Sequence, residues 1–407
     1  MPTVNPDDLL ASKRQFGPPK APKGWEPGIA WDGQTGSLTT APLPEAPSPL
    51  VWAELVKDWG LDPETTEIVP GSVQVRGWDA NVGAGQLERL RYYRATIRQK
   101  SATVDRLDVD ALCEQILKRP PIKVPSTLTI GRALVVNLSD WQLGKGEGGG
   151  SVVTASRIAA AIDGIPRRVR ELRKLGRPAE AIYLLGLGDL VEQCFGHYPM
   201  QLATTDLDRR QQMKLARALI IRAVDTAAKL VPRVVVAAVP GNHGENRQDG
   251  KAVTTWTDND DLAVFEQVAE VCAANPDRYG HVSFVLAGEN DTDPLTLVLD
   301  VVGVPVGLTH SHQARSGGGH PAEKVQRWWQ GQALGRQPIA GAQILNTGHY
   351  HHLLVVTSSG RTHFQAPAMD GGSYWWTAQT GQHSPAGMLT YVVDASDVLG
   401  WNDLAVL

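Results

Sequence analysis

The sequence predicts an α/β fold built on strands buried in its middle. Three observations predict it. Apolar, β-branched runs recur between residues 133 and 347, among them Ala133–Leu138, Ala181–Leu187 and Arg233–Val239. Such runs read as strands buried on both faces. Amphipathic helical stretches alternate with them, and a strand-rich end follows between residues 353 and 393. That order fits two sheets packed together with helices outside.

Taken in order, residues 1–50 are rich in Pro and Gly and poor in periodic apolar residues. The expectation is a mostly disordered tail in which Trp25 and Trp31 dock locally. Residues 51–125 read as a small accessory module, mostly helical. Trp52 to Trp59 has helical spacing, and Gly60 stops it. Thr66–Val69 and Ser72–Val75 read as short strands. Leu87 to Lys100 reads as a basic helix. Its Arg89, Arg91, Arg94, Arg98 and Lys100 form either a phosphate-contacting face or a solvated one, with Leu87, Leu90 and Tyr93 packed inward. Asp108 to Leu117 is read as another helix, closed by Pro120-Pro121.

Residues 126–407 read as one large domain. Its first strand runs into Asp140, and the run Gly144-Lys-Gly-Glu-Gly-Gly-Gly150 follows. That run lacks the Lys-Ser/Thr of a phosphate-binding P-loop, so it reads as a flexible loop. Lys145 within it either touches a substrate phosphate or does nothing. Helices are expected from Thr154 to Leu175, Asp206 to Leu230, Asp258 to Ala274 and Pro321 to Leu334. Further strands are expected at Val282–Val285, Leu295–Val302, Val304–Thr309, Leu353–Thr357, Thr362–Gln365 and Met388–Val393.

Composition bounds the rest. The 407 residues carry a formal net charge of −4, which gives no general support for a nucleic-acid binder. The 3 cysteines, Cys113, Cys194 and Cys272, are scattered and odd in number, so no disulfide framework is expected. No apolar run is long enough to span a bilayer, and the start lacks an apolar leader. A cytoplasmic protein without a membrane partner is the expectation.

The strand-like runs share a further property: each ends in Asp, Asn or His. Ala133–Leu138 leads to Asp140-Trp-Gln142, Ala181–Leu187 to Gly188-Asp189-Leu-Val-Glu192, and Arg233–Val239 to Gly241-Asn242-His243-Gly-Glu245. Val304–Thr309 leads to His310-Ser-His312, and Ala342–Thr347 to Gly348-His349-Tyr-His351. In open α/β sheets ligands bind just beyond the carboxyl ends of strands. Here the chain resembles the calcineurin-like metallophosphoesterases, whose pattern is D-x-H, GD-x-x-[DE], GNH-[DE], a His after a strand, and G-H-x-H. The resemblance covers roughly residues 130–394, about two-thirds of the chain. Two departures stand out. Gln142 replaces a metal-binding His, and Gly244 separates His243 from Glu245.

The resemblance implies a four-layer α-β-β-α sandwich and two divalent metals about 3.5–4 Å apart. Asp189 is implied to bridge them. One metal takes Asp140, Asp189 and His351, with the Gln142 amide oxygen as a further donor. The other takes Asp189, Asn242, His310 and His349. Mixed N/O ligation suits Mn, Fe or Zn, with Mn preferred. A metal-bridging hydroxide is the implied nucleophile, and His243 the implied general acid. Around them, Glu192 reads as orienting a ligand or as a solvated acid, Glu245 as orienting His243, and His312 as a phosphate or ligand partner or a surface residue. Cys194 reads as a small buried residue, and Tyr374, Trp375 and Trp376 as core packing or a base-stacking platform.

Hydrolysis of a phosphodiester is therefore the expected function. The short Ser139-Asp-Trp-Gln-Leu-Gly-Lys145 start looks most like the nuclease branch, the Mre11 or SbcD type, and its small bacteriophage members. DNA is then the partner, and an ATPase or a replication or repair partner is left open. The alternatives are a phosphodiesterase or phosphatase for cyclic nucleotides or other small phosphoesters, and a binding or scaffold protein whose metal site has decayed.

Overall fold

Strand pairing decides the architecture in a computed structural model of the chain, which describes residues 21, 23–43, 46–69, 71–83, 86–99, 122–125, 131–198, 201–289, 292–315, 321–372 and 384–407. The chain divides into two units, Met1–Val104 and Asp105–Leu407.

Among the described residues, the first unit is a sheet with one helix. Its strands are β1 (Gly28–Trp31), β2 (Thr35–Thr39), β3 (Thr66–Ile68), β4 (Gln74–Gly83) and β5 (Gln86–Gln99). They pair in the order β1-β2-β5-β3, with β4 also on β5. Helix α1 (Pro49–Asp58) opens on Ser48, whose hydroxyl accepts from the Val51 amide at 3.4 Å, with Pro49 in the first turn. It buries Trp52 and Val56 against Leu38, Tyr93, Ala95 and Ile97.

Two expectations fail here. Residues 28–39 are not a disordered tail: they form a hairpin whose Leu38 is fully buried and pairs with Ala95. Too few apolar residues line this hairpin to show a period, and β5 supplies the pairing that holds it. Residues 86–99 are not a helix but the longest strand, so the described part of this unit is mostly β. Tyr93, Ala95 and Ile97 alternate inward while Thr96 and Arg98 face out. The i, i+3, i+6 spacing of Leu87, Leu90 and Tyr93 mimicked a helix face. The Tyr-Tyr and Thr-Ile pairs, which suit a pleated surface, carried the truer signal. The expected helix at 108–117 lies outside the described residues.

The second unit is mixed α/β with two main sheets. Strands β6 (Arg132–Leu138), β7 (Ala181–Gly186), β8 (Arg233–Ala238), β11 (Val282–Leu286), β17 (Leu389–Asp394) and β18 (Trp401–Val406) pair in the order β11-β8-β7-β6-β17-β18. The first four run parallel, β17 pairs antiparallel with β6, and β18 pairs antiparallel with β17. The second sheet pairs β12 (Thr296–Val301), β13 (Val304–Thr309), β14 (Ile344–Thr347), β16 (Arg361–Gln365) and β15 (Leu354–Ser358) in that order. The small hairpin β9 (Arg247–Gln248) and β10 (Lys251–Ala252) stands between.

Alternation along β6 shows how the layers fill. Leu134, Val136 and Leu138 pack with Ile158 and Ile162 of α2 (Gly150–Lys174), Leu219 and Val224 of α3 (Arg209–Ala228), and Phe265 of α4 (Asp260–Ala273). Ala133 and Val135 point the other way, into a core shared with Val306, Ile344 and Phe364 of the second sheet. Val325 and Trp329 of α5 (Pro321–Leu334) pack with Leu345. Burial on both faces is why these strands read as continuous apolar runs. Helix α3 starts on a capping box: the Asp208 carboxylate accepts from the Gln211 amide at 2.8 Å, and the Gln211 side chain accepts from the Asp208 amide at 2.9 Å. Among the described residues, no helix is long and apolar enough to cross a membrane.

Candidate metal centre

Parallel strands β6, β7 and β8 end in register, so the residues just past them meet. The tips of β13 and β14 meet the same place. Asp140, Gln142, Asp189, Asn242, His310, His349 and His351 all converge there, with Asp140, Asp189 and His310 fully or almost fully buried. Glycine makes the approach possible. A Cβ on Gly348 would lie 2.7 Å from Asp140 Oδ2, and one on Gly188 would lie 3.0 Å from His310 Nδ1. The glycine in the GD and GH pairs is thus a steric requirement of packed strand tips. The backbone is also strained where the donors sit. Asp140, Gln142, Asp189, His349 and His351 all have positive φ, between 42° and 76°. Non-glycine residues rarely adopt that region, and they cluster there at functional sites.

Asp189 is the hub. Its Oδ1 accepts from the His243 amide at 2.7 Å, and its Oδ2 lies 3.0 Å from His310 Nε2. Burial pushes its carboxyl up, but His310 and His243 outweigh that and hold it well below the usual carboxylate range. His310 Nδ1 lies 2.7 Å from the Leu187 carbonyl, to which it donates, leaving Nε2 as the donor atom for a metal. Asn242 Oδ1 lies 3.1 Å from that Nε2. Burial, then the neighbouring His310, keeps His349 well below the ordinary imidazole value, so it stands as a neutral base. One donor atom each from Asp189, His310 and His349 lies within 4.8 Å of the others. A carboxylate, an amide oxygen and two imidazoles are a donor set that fits a divalent transition metal.

The other half is built differently. The Asp140 carboxylate accepts from the Ser139 hydroxyl and from the His349 amide at 3.0 Å, and its Oδ1 lies 3.4 Å from His351 Nε2. Gln142 does not offer its amide oxygen to open space. Lys145 Nζ donates to Gln142 Oε1 at 3.2 Å and also pairs with Asp370. The Gly-rich run is packed, not open: the Gly148 and Gly371 backbones sit face to face with no room for a Cβ.

His243 lies beside both halves. Its Nδ1 is 3.2 Å from Glu192 Oε2, and its Nε2 is 3.4 Å from Gln142 Nε2. Burial works against protonation, but Glu192 and Asp189 raise the ring to about 10, so it holds a proton at neutral pH. Glu192 is a buried orienting group and not a solvated acid; Tyr198 also donates to it, at 2.7 Å. Glu245 does not orient His243. It pairs with His312 at 3.3 Å and Arg247 at 2.7 Å, because Gly244 carries the chain one residue further before the acid. His312 is buried and not a surface residue. Cys194 is half-buried, and the Tyr374–Trp376 platform lies outside the described residues.

Three contributors were missed by the sequence. Asp261, in the first turn of α4, accepts from the backbone amides of Asp189, Leu190 and Gly241 at 2.8, 2.9 and 3.0 Å, tying two strand tips together. Burial, then Asp189, raises its carboxyl to about 7. Asp370 anchors Lys145. His197 stacks on His243 with ring centroids 4.8 Å apart, and burial drops its pKa to about 4. None of the three sits at a strand tip, where the motif reading looks.

No family model matches the chain, and no curated protein matches it. Among solved structures, a predicted phosphoesterase from Streptococcus pneumoniae is 11% identical, covering 65% of this chain and 86% of its own, with a TM-score of 0.28. Vacuolar Protein Sorting 29 from Cryptosporidium parvum is 15% identical, covering 68% and 97%, also with a TM-score of 0.28. An archaeal phosphodiesterase is 9% identical, covering 67% and 99%, with the same TM-score of 0.28. Similarity at this level assigns no function, which therefore rests on the geometry of the strand tips.

Proposed function

We propose that residues 105–407 form a metal-dependent phosphoesterase of the calcineurin-like kind, a four-layer α-β-β-α sandwich with its metal centre at the joined strand tips. The observation that carries this is the Asp189–His310–His349 group with Asn242 beside it. A buried carboxylate, a neutral imidazole and an imidazole whose far nitrogen is tied to a carbonyl are the donor types that hold a divalent transition metal. Manganese is assigned first, with iron and zinc as the alternatives. A divalent ion bound there supplies Lewis-acid polarisation of the phosphoryl group and acidifies water.

The chain's own residues do the rest. Asp189, Asn242, His310 and His349 hold the ion. Asp261 fixes the backbone that carries Asp189 and Gly241. His243 Nδ1 donates to the Glu192 carbonyl at 3.3 Å and lies 3.2 Å from its carboxylate, so Nε2 is the nitrogen left to protonate the leaving oxygen. Burial of Asp140 and Asp189 keeps water from screening the charges that a phosphate would meet.

Within this class we read phosphodiester hydrolysis, with a DNA-directed nuclease as the narrower form. That form rests on the Ser139–Lys145 start. The basic stretch in residues 86–99 lends it little, because Arg89 pairs with Asp79 and Arg98 with Glu67. A small-molecule phosphodiesterase is the second reading, and those paired arginines favour it. The test is a Mn-supplemented panel of a generic diester, a monoester, a cyclic nucleotide and DNA. Turnover of the diester with none of the monoester is expected. Turnover of nothing, with an ion bound, favours a binding protein.

A further inference from the structure

The two halves of the centre hold different cations. We propose that the Lys145 ammonium is the resident cation of the Asp140–Gln142–His351 half, so that the chain binds one divalent ion tightly, at Asp189, Asn242, His310 and His349. This rests on the function proposed above and departs from a two-metal centre.

Four observations carry it. The amide oxygen expected to reach a metal accepts from Lys145 Nζ at 3.2 Å. An ammonium only donates, so it is the oxygen and not the nitrogen of Gln142 that faces Lys145. The same ammonium pairs with Asp370, a buried carboxylate that lies 3.9 Å from His351 Nδ1. A lysine with only 12% of its side chain exposed needs such partners, since a desolvated charge is retained only when paired.

The backbone aims it there. Lys145 N donates to the Gln142 carbonyl at 3.0 Å, and the Gly144 carbonyl accepts from the Asp206 amide at 2.8 Å, which closes a turn around the residue. The Gly148–Gly371 approach presses the Asp370 loop against it. The described residues supply a single group of three acidic or imidazole ligands within metal-binding reach, and it lies in the other half. A divalent ion sharing the Gln142 oxygen would sit against a fixed positive charge in a poorly screened site. The ammonium already gives the phosphoryl oxygens their second positive charge. Gln142 is consistent with this: an imidazole there, if neutral, would give Lys145 a poorer acceptor than an amide oxygen.

Titration of the full chain with Mn²⁺, followed by equilibrium dialysis and electron paramagnetic resonance, tests the proposal. Wild type is expected to bind one ion per chain, with the spectrum of an isolated ion. Lys145→Met is expected to bind a second ion at least about tenfold more tightly than wild type does, because the repulsion is gone, and to show the spectrum of two coupled ions. Lys145→Gln serves if the Met variant fails to fold. Two ions of equal affinity in wild type would overturn the proposal, as would a lysine variant that gains none. His310→Ala separates the two readings. If wild type binds no ion, or its one ion survives His310→Ala, the proposed metal centre itself is wrong.

Discussion

Charge is used in opposite ways in the two units. In residues 105–407 one set of charged groups sits buried at strand tips: Asp140 and His310 are 0% exposed and Asp189 is 1% exposed. Each is held by fixed partners. In residues 1–104 the paired charges stand exposed on their strands. Arg89 and Asp79 are each 58% exposed, and Arg98 and Glu67 are 47% and 36% exposed. A surface pair of that kind is worth about 0–1 kcal/mol and weakens with salt. A buried charge costs several kcal/mol to desolvate, and a fold keeps a cluster of them when something binds there. The difference teaches where to look for function: a basic stretch is weak ground, and a set of buried, mutually oriented donors is strong ground.

Mutations should separate the two kinds of charge most sharply at Asp189. Asp189→Asn should drop hydrolysis of a generic diester to background and abolish tight Mn²⁺ binding, with circular dichroism unchanged. Near-normal turnover by this variant, with its metal content measured, would overturn the metal assignment. His243→Ala comes next. Loss of a positioned general acid should lower kcat by about 10²–10⁴-fold while the ion count stays at the wild-type value. A lost ion would instead make His243 structural.

Glu192 acts through His243. The Glu192 carboxylate raises the ring's pKa, so Glu192→Gln should move the alkaline limb of the rate profile to lower pH. The stability linked to this proton is fully present below the ordinary imidazole value and fades as pH rises towards about 10. Melting temperatures of wild type and variant should therefore differ most at neutral and lower pH and converge in alkali. An unmoved alkaline limb would sever the link. Asp261→Ala leaves three buried backbone amides unpaired, at about 1–3 kcal/mol each, and should weaken Mn²⁺ binding by about 10–100-fold. Urea melts and metal titration read both.

The same contrast explains what was legible. Strands buried on both faces are continuous apolar runs, and the strand tips carry polar residues in short motifs, so the meeting of Asp140, Asp189, Asn242, His310 and His349 was legible in the sequence. Asp261 and Asp370 were not. One sits in a helix's first turn and reaches amides of two other segments, and the other is paired with a lysine 225 residues away, which no local pattern can show. Gln142 reads from sequence as a further metal donor because nothing local shows its partner, Lys145, which reads separately as a loop residue. Strand β5 was missed because arginines stand on both of its faces, Arg89 and Arg91 with the parity of Tyr93, Arg94 and Arg98 with the other. They hide the period of two, and the i, i+3, i+6 spacing of Leu87, Leu90 and Tyr93 fits a helix alone. Strand β18 was missed for a like reason, its Asn402 and Asp403 hiding a strand that Trp401 anchors by donating to Thr362 at 2.7 Å.

The smallest effect is expected at the exposed pairs, and it decides whether the first unit takes part in DNA binding. Arg89→Ala and Arg98→Ala each remove an exposed ion pair, so the melting temperature should fall by the equivalent of about 1 kcal/mol or less. Turnover of a generic diester should be unchanged, since both residues lie outside the metal centre. DNA affinity is the discriminating measurement. Arginines already matched to Asp79 and Glu67 release few counterions on meeting a phosphate backbone, so the double variant should keep the wild-type salt slope. A slope shallower by one or two units of log-log dependence would mean that the arginines leave their carboxylates for phosphates. The exposed arginines of β5 would then belong with the buried strand tips, as charges that meet a ligand.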